Sequence, residues 1–322
     1  MRAVVMREFG PPQVLQLAET ADAQAGPGQV VVDVEIAGVT FVETQVRAGR
    51  PPNPGMLPVL PAILGNGVGG IVAELGDGVD GALTGRRVVT SLSGTGGYAE
   101  RAVATAGRLV EVPDGLALRD AVALLADGRT ALALAGRARP VKGETVLVEA
   151  AAGGVGTLLV QLARNAGARV VALASEERKL RLAHDLGADI AISYGDQDWP
   201  RRVRDAVGAV DVVFDGVGGD IARAAFGLLG PGGRFCAFGM ASGSFAPVTP
   251  ELAQQHQVSM VHGTGLSPEE LTALVRAALA EAAAGRIRPV IGQELELARA
   301  AAAHAAIEAR ATIGKTLLTV PR

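Results

Sequence analysis

The residues with the most chemical content are those of the stretch Ala-Ala-Gly-Gly-Val-Gly at 151–156. A short β-prone run at 145–148 precedes it, and 157–164 places apolar residues at helical spacing. Strand, glycine turn and helix in that order open a nucleotide-binding βαβ unit, with G-x-G-x-x-G spacing and Ala151 in the first glycine slot. Gly153 lets the backbone approach a pyrophosphate, and Gly156 lets helix and strand pack closely. Ala152, Gly154 and Val155 complete the turn. The first amides of the helix offer unpaired N–H groups and a partial positive charge to that anion. A tight turn in a chain with 43 glycines among 322 residues is the competing reading.

The next residues that could do chemistry decide the nucleotide. An NAD-binding βαβ unit carries Asp or Glu at the end of its second strand, to hold the ribose 2′-hydroxyl. Here the strand RVVALA ends at Ala174 and Ser175 follows. Glu176 and Glu177 come one step later, in the first turn of a helix, where they also suit its dipole. Ser175, Arg178 and Lys179 suit a 2′-phosphate instead: a hydroxyl donates and a cation neutralises the dianion. The two basic residues also read as a solvated helix face. NADPH is favoured over NADH.

These residues need a parallel sheet to position them. From 120 onward β-prone runs alternate with helical ones: helix 120–137, strand 169–174, helix 176–186, strand 189–192, helix 198–206, strand 210–214, helix 220–229, strand 233–238, then strand 258–261 after a short helix. That alternation predicts a doubly wound parallel sheet with helices on both faces. Residues 1–118 read differently. Short β-prone runs at 3–5, 30–36, 70–75 and 87–90 are separated by PPQ, GPGQ, PPNPG and GDGVDG, which predicts a compact β domain with long loops. A long Ala-rich helix at 268–284, an extended run at 290–297, a helix at 298–309 and a strand at 316–320 follow. These last pieces suit the first domain better, so the chain is expected to return to it.

Composition narrows the function. The length suits about two domains, and 49% hydrophobic residues suffice for real cores. A net charge of −3 gives no general basic field for nucleic acid. The first residues carry Glu8 and lack an apolar signal core, so no export is expected. The longest uncharged run, 51–73, holds Pro51, Pro52, Pro54, Pro58 and Pro61 and cannot span a bilayer as a helix. Cys236 is the sole cysteine, which excludes an intramolecular disulfide and a Cys-rich zinc site. A cytoplasmic protein with no membrane or nucleic-acid partner is expected.

Several separated motifs then agree: MRAVVMREFGPPQVLQL, AGVTFVETQVRAG at 37–49, LGNGVGGIVAELGDGV at 64–79, GGYAE at 96–100, VLVEAAAGGVGTLLVQLAR, LGADIAISY at 186–194, DVVFDGVGG at 211–219 and EARATIGKTLL at 308–318. In this order they resemble the medium-chain dehydrogenase/reductase superfamily, and within it the zinc-independent NADPH:quinone oxidoreductase branch. The resemblance implies a GroES-like β-barrel domain, 1–118 with 286–322, and a Rossmann dinucleotide-binding domain, 119–285, with the cofactor in the cleft between them. It implies a homodimer. It places Lys179 and Tyr194 at the 2′-phosphate and adenosine ribose, Arg310 at a phosphate position, Gly239, Thr264, Leu266 and Thr130 near the nicotinamide, and Val217 and Lys315 among the cofactor-binding residues.

The chain departs from the resemblance at two places. Thr40 stands where many relatives have Asn. The segment LLADGRTA at 124–131 is charged, and Asp127 and Arg129 either form a local pair or shape the pocket. Zinc-dependent relatives have a cysteine near 39 or 40 and a four-cysteine lobe near 80–100, and this chain has neither. Without a Lewis acid an alcohol is hard to ionise, whereas a quinone or an α,β-unsaturated carbonyl is already electrophilic. Alignment with a cofactor then supplies about 7–11 kcal/mol of the barrier. Thr40 and Tyr98 are the candidate donors to the developing oxyanion. The alternatives are a hydroxyl satisfied by backbone for Thr40 and a hydrophobic wall for Tyr98. Phe41, Leu64 and Asn66 are the candidate substrate-pocket residues. The leading function is an NADPH-dependent quinone reductase. The alternatives are an enoyl reductase and a weakly catalytic NADPH-binding protein.

Overall fold

A computed structural model describes residues 1–262 and 265–321. The chain divides into two compact units: Met1–Ala126 with Pro268–Gly285 and Pro289–Arg322, and Asp127–Ser267 with Arg286–Arg288. The first opens with β1 (Arg2–Met6), β2 (Leu15–Glu19) and β3 (Gln29–Val39), then α1 (Phe41–Arg47). β4 (Ala62–Ile63), β5 (Gly67–Leu75), β6 (Arg87–Ser91), β7 (Arg101–Thr105) and β8 (Val110–Glu111) follow, and α2 (Leu118–Ala138) crosses the division. β3 is the spine of this unit, antiparallel to both β5 and β7. Its Val30, Val32 and Val34 meet Val68, Val72, Val88 and Leu318 in one core. Each such side chain contributes about 1.5–3 kcal/mol by leaving water.

Within the motif at 37–49 the chain forms α1. The reason is a capping box: the Thr40 hydroxyl accepts from the Glu43 amide while the Glu43 carboxylate accepts from the Thr40 amide. Thr-Phe-Val-Glu has the required spacing.

The second unit alternates β9 (Thr145–Val148), α3 (Gly154–Asn165), β10 (Arg169–Ala174), α4 (Glu177–Asp185), β11 (Ile190–Ser193), α5 (Trp199–Val207), β12 (Val210–Asp215), α6 (Gly219–Phe226), β13 (Leu229–Ala237), α7 (Pro250–Gln255) and β14 (Ser259–His262). The strands pair in parallel in the order β11-β10-β9-β12-β13-β14. This is the Rossmann order, whose direction of winding reverses between β9 and β12. Both faces are covered. Leu147, Val171, Leu173, Val213 and Phe235 join Trp199, Val203, Ala222, Phe226 and Ala253 from α5, α6 and α7 in one core. The alternate positions Val146, Val148, Val170 and Ala172 are equally buried, on the side where α3 and α4 pack.

The chain then runs through α8 (Pro268–Ala283), β15 (Ile291–Glu296), α9 (Ala300–Glu308) and β16 (Lys315–Thr319). β16 pairs antiparallel with β3, Thr316 opposite Val39, and β15 pairs with β16. β16 thus joins the sheet of β3 and β5. α8, which the sequence reading assigned to the second domain, groups with the first unit and lies against β8.

Candidate functional site

The candidate cofactor residues of the second unit gather along the carboxyl ends of its strands. Tyr194 follows β11, Ser175 follows β10 and the glycine turn follows β9. Val217 follows β12, and Gly239 follows β13. Backbone bonds extend the ladder past the strands: Tyr194 N to the Ala174 carbonyl at 3.1 Å, Ala151 N to Leu173 at 3.0 Å, and Phe238 N to Asp215 at 2.9 Å. In open α/β sheets this edge, at the reversal of strand order, is where ligands bind.

The glycine turn is shaped by close approach. Gly153 caps α3 in an extended conformation, and its amide returns to the Ala150 carbonyl at 2.8 Å. A Cβ on Gly156 would run into the Ala150 carbonyl oxygen and the Ala151 backbone, so helix and strand meet only because this residue has no side chain. Ala152 is buried, while Gly153, Gly154 and Val155 are half-buried. A Cβ on Gly154 would strike the Asp127 carboxylate. Asp127 therefore sits against the first turn of α3. Burial lowers the pKa of half-buried Arg129, and the Asp127 charge opposes that.

The 2′-phosphate candidates are close to each other. Lys179 is buried along its stem, and its Nζ donates to Ser175 Oγ at 3.2 Å and pairs with Glu176 at 3.1 Å. Arg178 is exposed on the same helical turn. Half-buried Tyr194 packs against the second core. Val217 is buried; its amide donates to Asp215 Oδ1 at 2.9 Å, and its carbonyl accepts from Ser242. Gly239 donates to the Asp215 carbonyl at 3.2 Å. Thr130 and Leu266 are half-buried. Thr264 lies outside the described residues. Arg310 and Lys315 belong to the first unit: Arg310 is exposed, with φ 56 just past α9, and Lys315 is buried at the start of β16.

In the first unit the candidate catalytic hydroxyls converge on a residue the sequence reading missed. Glu43 is buried, and its carboxylate accepts from Thr40 N (2.7 Å), Thr40 Oγ1 (3.1 Å), Asn66 N (2.7 Å) and the Tyr98 hydroxyl (3.2 Å). Burial pushes its pKa up, and the Thr40 and Asn66 amides with Lys315 oppose that. Tyr98 is 0% exposed and its hydroxyl also meets His304 Nε2 at 3.0 Å. Burial, then the Glu43 charge, holds Tyr98 well above the usual phenol range. Because Tyr98 donates to Glu43, His304 must donate through Nε2, which fixes its neutral tautomer. Burial lowers the His304 pKa to about 3, aided by the Arg47 charge. Arg47, buried in α1, donates to the Gly10 carbonyl at 2.7 Å and pairs with Glu308 of α9.

Both candidate oxyanion donors thus already donate inside the unit. Thr40 is half-buried, whereas Tyr98 has no exposed surface. Phe41 is half-buried at the head of α1, Leu64 is in the core, and Asn66 accepts from Gly94 N at 2.9 Å. Among the described residues no three His, Cys, Asp or Glu side chains are grouped to hold a metal ion, and no helix is long and apolar enough to cross a membrane. Cys236 is buried in β13, its thiol pushed up to about 12 by burial.

Comparison with known proteins agrees with this construction. Residues 26–114 match the family model for the alcohol dehydrogenase GroES-like domain, and residues 154–280 that for zinc-binding dehydrogenase. The chain is 33% identical to a quinone oxidoreductase of Pseudomonas aeruginosa, over 96% of this chain and 97% of the other. It is 33% identical to a 2-haloacrylate reductase of a Burkholderia species, over 99% of this chain and 98% of the other. The quinone oxidoreductase of Escherichia coli, solved in complex with NADPH, superposes with a TM-score of 0.91 at 29% identity, over 99% of this chain and 100% of that one. With a six-stranded Rossmann sheet, a GroES-like unit and relatives that match it end to end, the chain belongs to the medium-chain dehydrogenase/reductase superfamily, in its quinone oxidoreductase branch.

Proposed function

We propose that this chain is a reductase that carries hydride from NADPH to a quinone or a related conjugated carbonyl, with no zinc in the reaction. The observation that carries the reading is the edge of the parallel sheet, where a glycine turn at a helix N-terminus and a buried lysine beside a serine stand on adjacent strands. The turn and pocket fit the cofactor. Gly156 gives the close approach, the first amides of α3 have no acceptor within the helix, and Lys179 with Ser175 lies one strand away. NADPH-bound and quinone oxidoreductase relatives support the same reading.

Bound NADPH supplies the hydride, and the protein supplies orientation and charge. The amides of Gly154, Val155 and Gly156 hold the pyrophosphate. Lys179, Ser175 and Arg178 hold the 2′-phosphate, for which Lys179 turns from Glu176. Tyr194 contacts the adenosine ribose. Thr130, Val217, Gly239 and Leu266 border the nicotinamide, and Arg310 and Lys315 are phosphate contacts on the ground of the resemblance alone. Phe41 and Asn66, both partly exposed, shape the substrate pocket, and Leu64 is a core residue instead. Thr40, with partial exposure, is the donor to the developing oxyanion. Tyr98, wholly buried, acts through Glu43 as a positioning residue. The donor set supports chemistry without zinc: the sole cysteine is a buried thiol that resists ionisation. We assign the chain to the cytoplasm as a homodimer.

A second reading has its own support. The Burkholderia relative is named for reduction of a conjugated acrylate, which favours an enone as acceptor. Steady-state oxidation of NADPH with a benzoquinone and with an enone separates the two. Turnover of the quinone is expected, and rapid turnover of the enone with none of the quinone would overturn the ranking.

A further inference from the structure

Two carboxyl groups at the reversal point of the sheet have no role in the function proposed above. Glu149 follows β9 and Asp215 ends β12, the two strands between which the winding changes direction. Both are 0% exposed. Asp215 Oδ1 accepts from the amides of Val217 at 2.9 Å and Gly218 at 2.7 Å. Asp215 Oδ2 and both Glu149 oxygens have no hydrogen-bond partner of good geometry among the described residues; the Val217 amide, which favours a charge on Glu149, is committed to Asp215 Oδ1. Two ionised carboxylates would leave three buried acceptors unmatched and set like charges together, a costly arrangement. One proton between them supplies the missing donor. Asp215 has the two amides, so it keeps the charge, and Glu149 carries the proton.

The pair is placed where it matters. Glu149 N donates to the Phe214 carbonyl at 3.0 Å, which ties its strand to β12. The next residue, Ala150, takes a left-handed conformation with φ 46, and its carbonyl receives Gly153 N and abuts Gly156. Asp215 holds the turn at 217–218 through its side chain and Phe238 and Gly239 through its carbonyl. One carboxyl contact therefore joins the three loops to which the cofactor was assigned. Asp215 is the charged group that faces Glu149, and the polar group from the adjoining loop is the Val217 amide.

We propose that Glu149 is a positioning residue that shares a proton with Asp215, and that loss of this proton in alkali loosens the loops and weakens binding of the dinucleotide. The inference rests on the NADPH reading of the glycine turn. Burial, then the Asp215 charge, holds the Glu149 carboxyl well above its usual range, in keeping with the geometry.

The test is the dissociation constant for NADPH of the full chain, measured from mildly acidic pH up to about 9.5, short of the range in which ordinary lysines lose their charge, for wild type and Glu149→Gln. The glutamine amide donates to Asp215 Oδ2 and has no proton to lose. Wild type is expected to weaken about tenfold or more across an alkaline limb, as one added buried like charge requires. Glu149→Gln is expected to match wild type at neutral pH and to lack that limb. A limb retained in Glu149→Gln, or absent from wild type, overturns the inference while leaving the NADPH reading intact. No NADPH binding by wild type at any pH overturns both. If Glu149→Gln does not fold, the infrared band of a protonated carboxyl in cofactor-free wild type decides: its loss over the same alkaline range supports the shared proton, and its absence at neutral pH overturns it.

Discussion

At the scale of single residues, the proposal makes its sharpest statement at Lys179. Lys179→Ala is expected to raise KM for NADPH tenfold or more, the loss of a charge-assisted bond worth about 1.5–3 kcal/mol, and to leave KM for NADH nearly unchanged. Equal losses for both nucleotides would remove the phosphate role. Thr40→Ala separates two roles of one hydroxyl. Loss of the helix cap is expected to lower stability by about 1 kcal/mol, visible in Tm, and loss of an oxyanion donor to lower kcat by about a hundredfold or more at unchanged KM for NADPH. A drop in Tm alone would leave Thr40 a capping residue only. Lys179 was legible in the sequence because its neighbours in the pocket are its neighbours in the chain: Ser175 and Glu176 lie four and three residues away. Glu43, Tyr98 and His304 were not legible as a group. His304 lies 206 positions from Tyr98, and nothing in a local pattern announces that distance will be closed.

At the scale of elements, the Rossmann half was readable and its junctions were less so. Runs such as RVVALA and DVVFD are apolar throughout because both sheet faces are covered, which marks parallel strands in any sequence. The helix α1 was missed although Thr40 and Glu43 carry its cap, since seven residues are too few for a period to show. The pair Glu149 and Asp215 left a trace: each is an acid closing an apolar run, VLVE and VVFD. The close approach of α3 to β9 yields a direct prediction. Gly156→Ala must push the helix from the Ala150 carbonyl. It is expected to destabilise by about 1–3 kcal/mol and to weaken NADPH binding. Wild-type Tm and affinity in that variant would contradict the packing described.

At the scale of the whole molecule, two buried groups set opposite responses to pH. His304 is held neutral, so its share of stability is present above its unfolded value near 6.5 and is lost as pH falls toward about 3. Glu149 is held protonated, so its share is present below its unfolded value near 4.3 and is lost as pH rises. Each slope is at most about 1.4 kcal/mol per pH unit. Between roughly pH 4.3 and 6.5 the two oppose each other, and stability falls on either side. In Tm profiles His304→Gln is expected to relieve the acid limb and Glu149→Gln the alkaline one. The central claim, however, is hydride transfer from NADPH to an electron-poor acceptor by protein groups alone. Its most direct test is the oxidation of NADPH by a benzoquinone with the full chain after exhaustive dialysis against a zinc chelator. Turnover undiminished by the chelator is the expected result. Turnover lost on chelation and restored by zinc, or no turnover with any quinone before chelation, would contradict it.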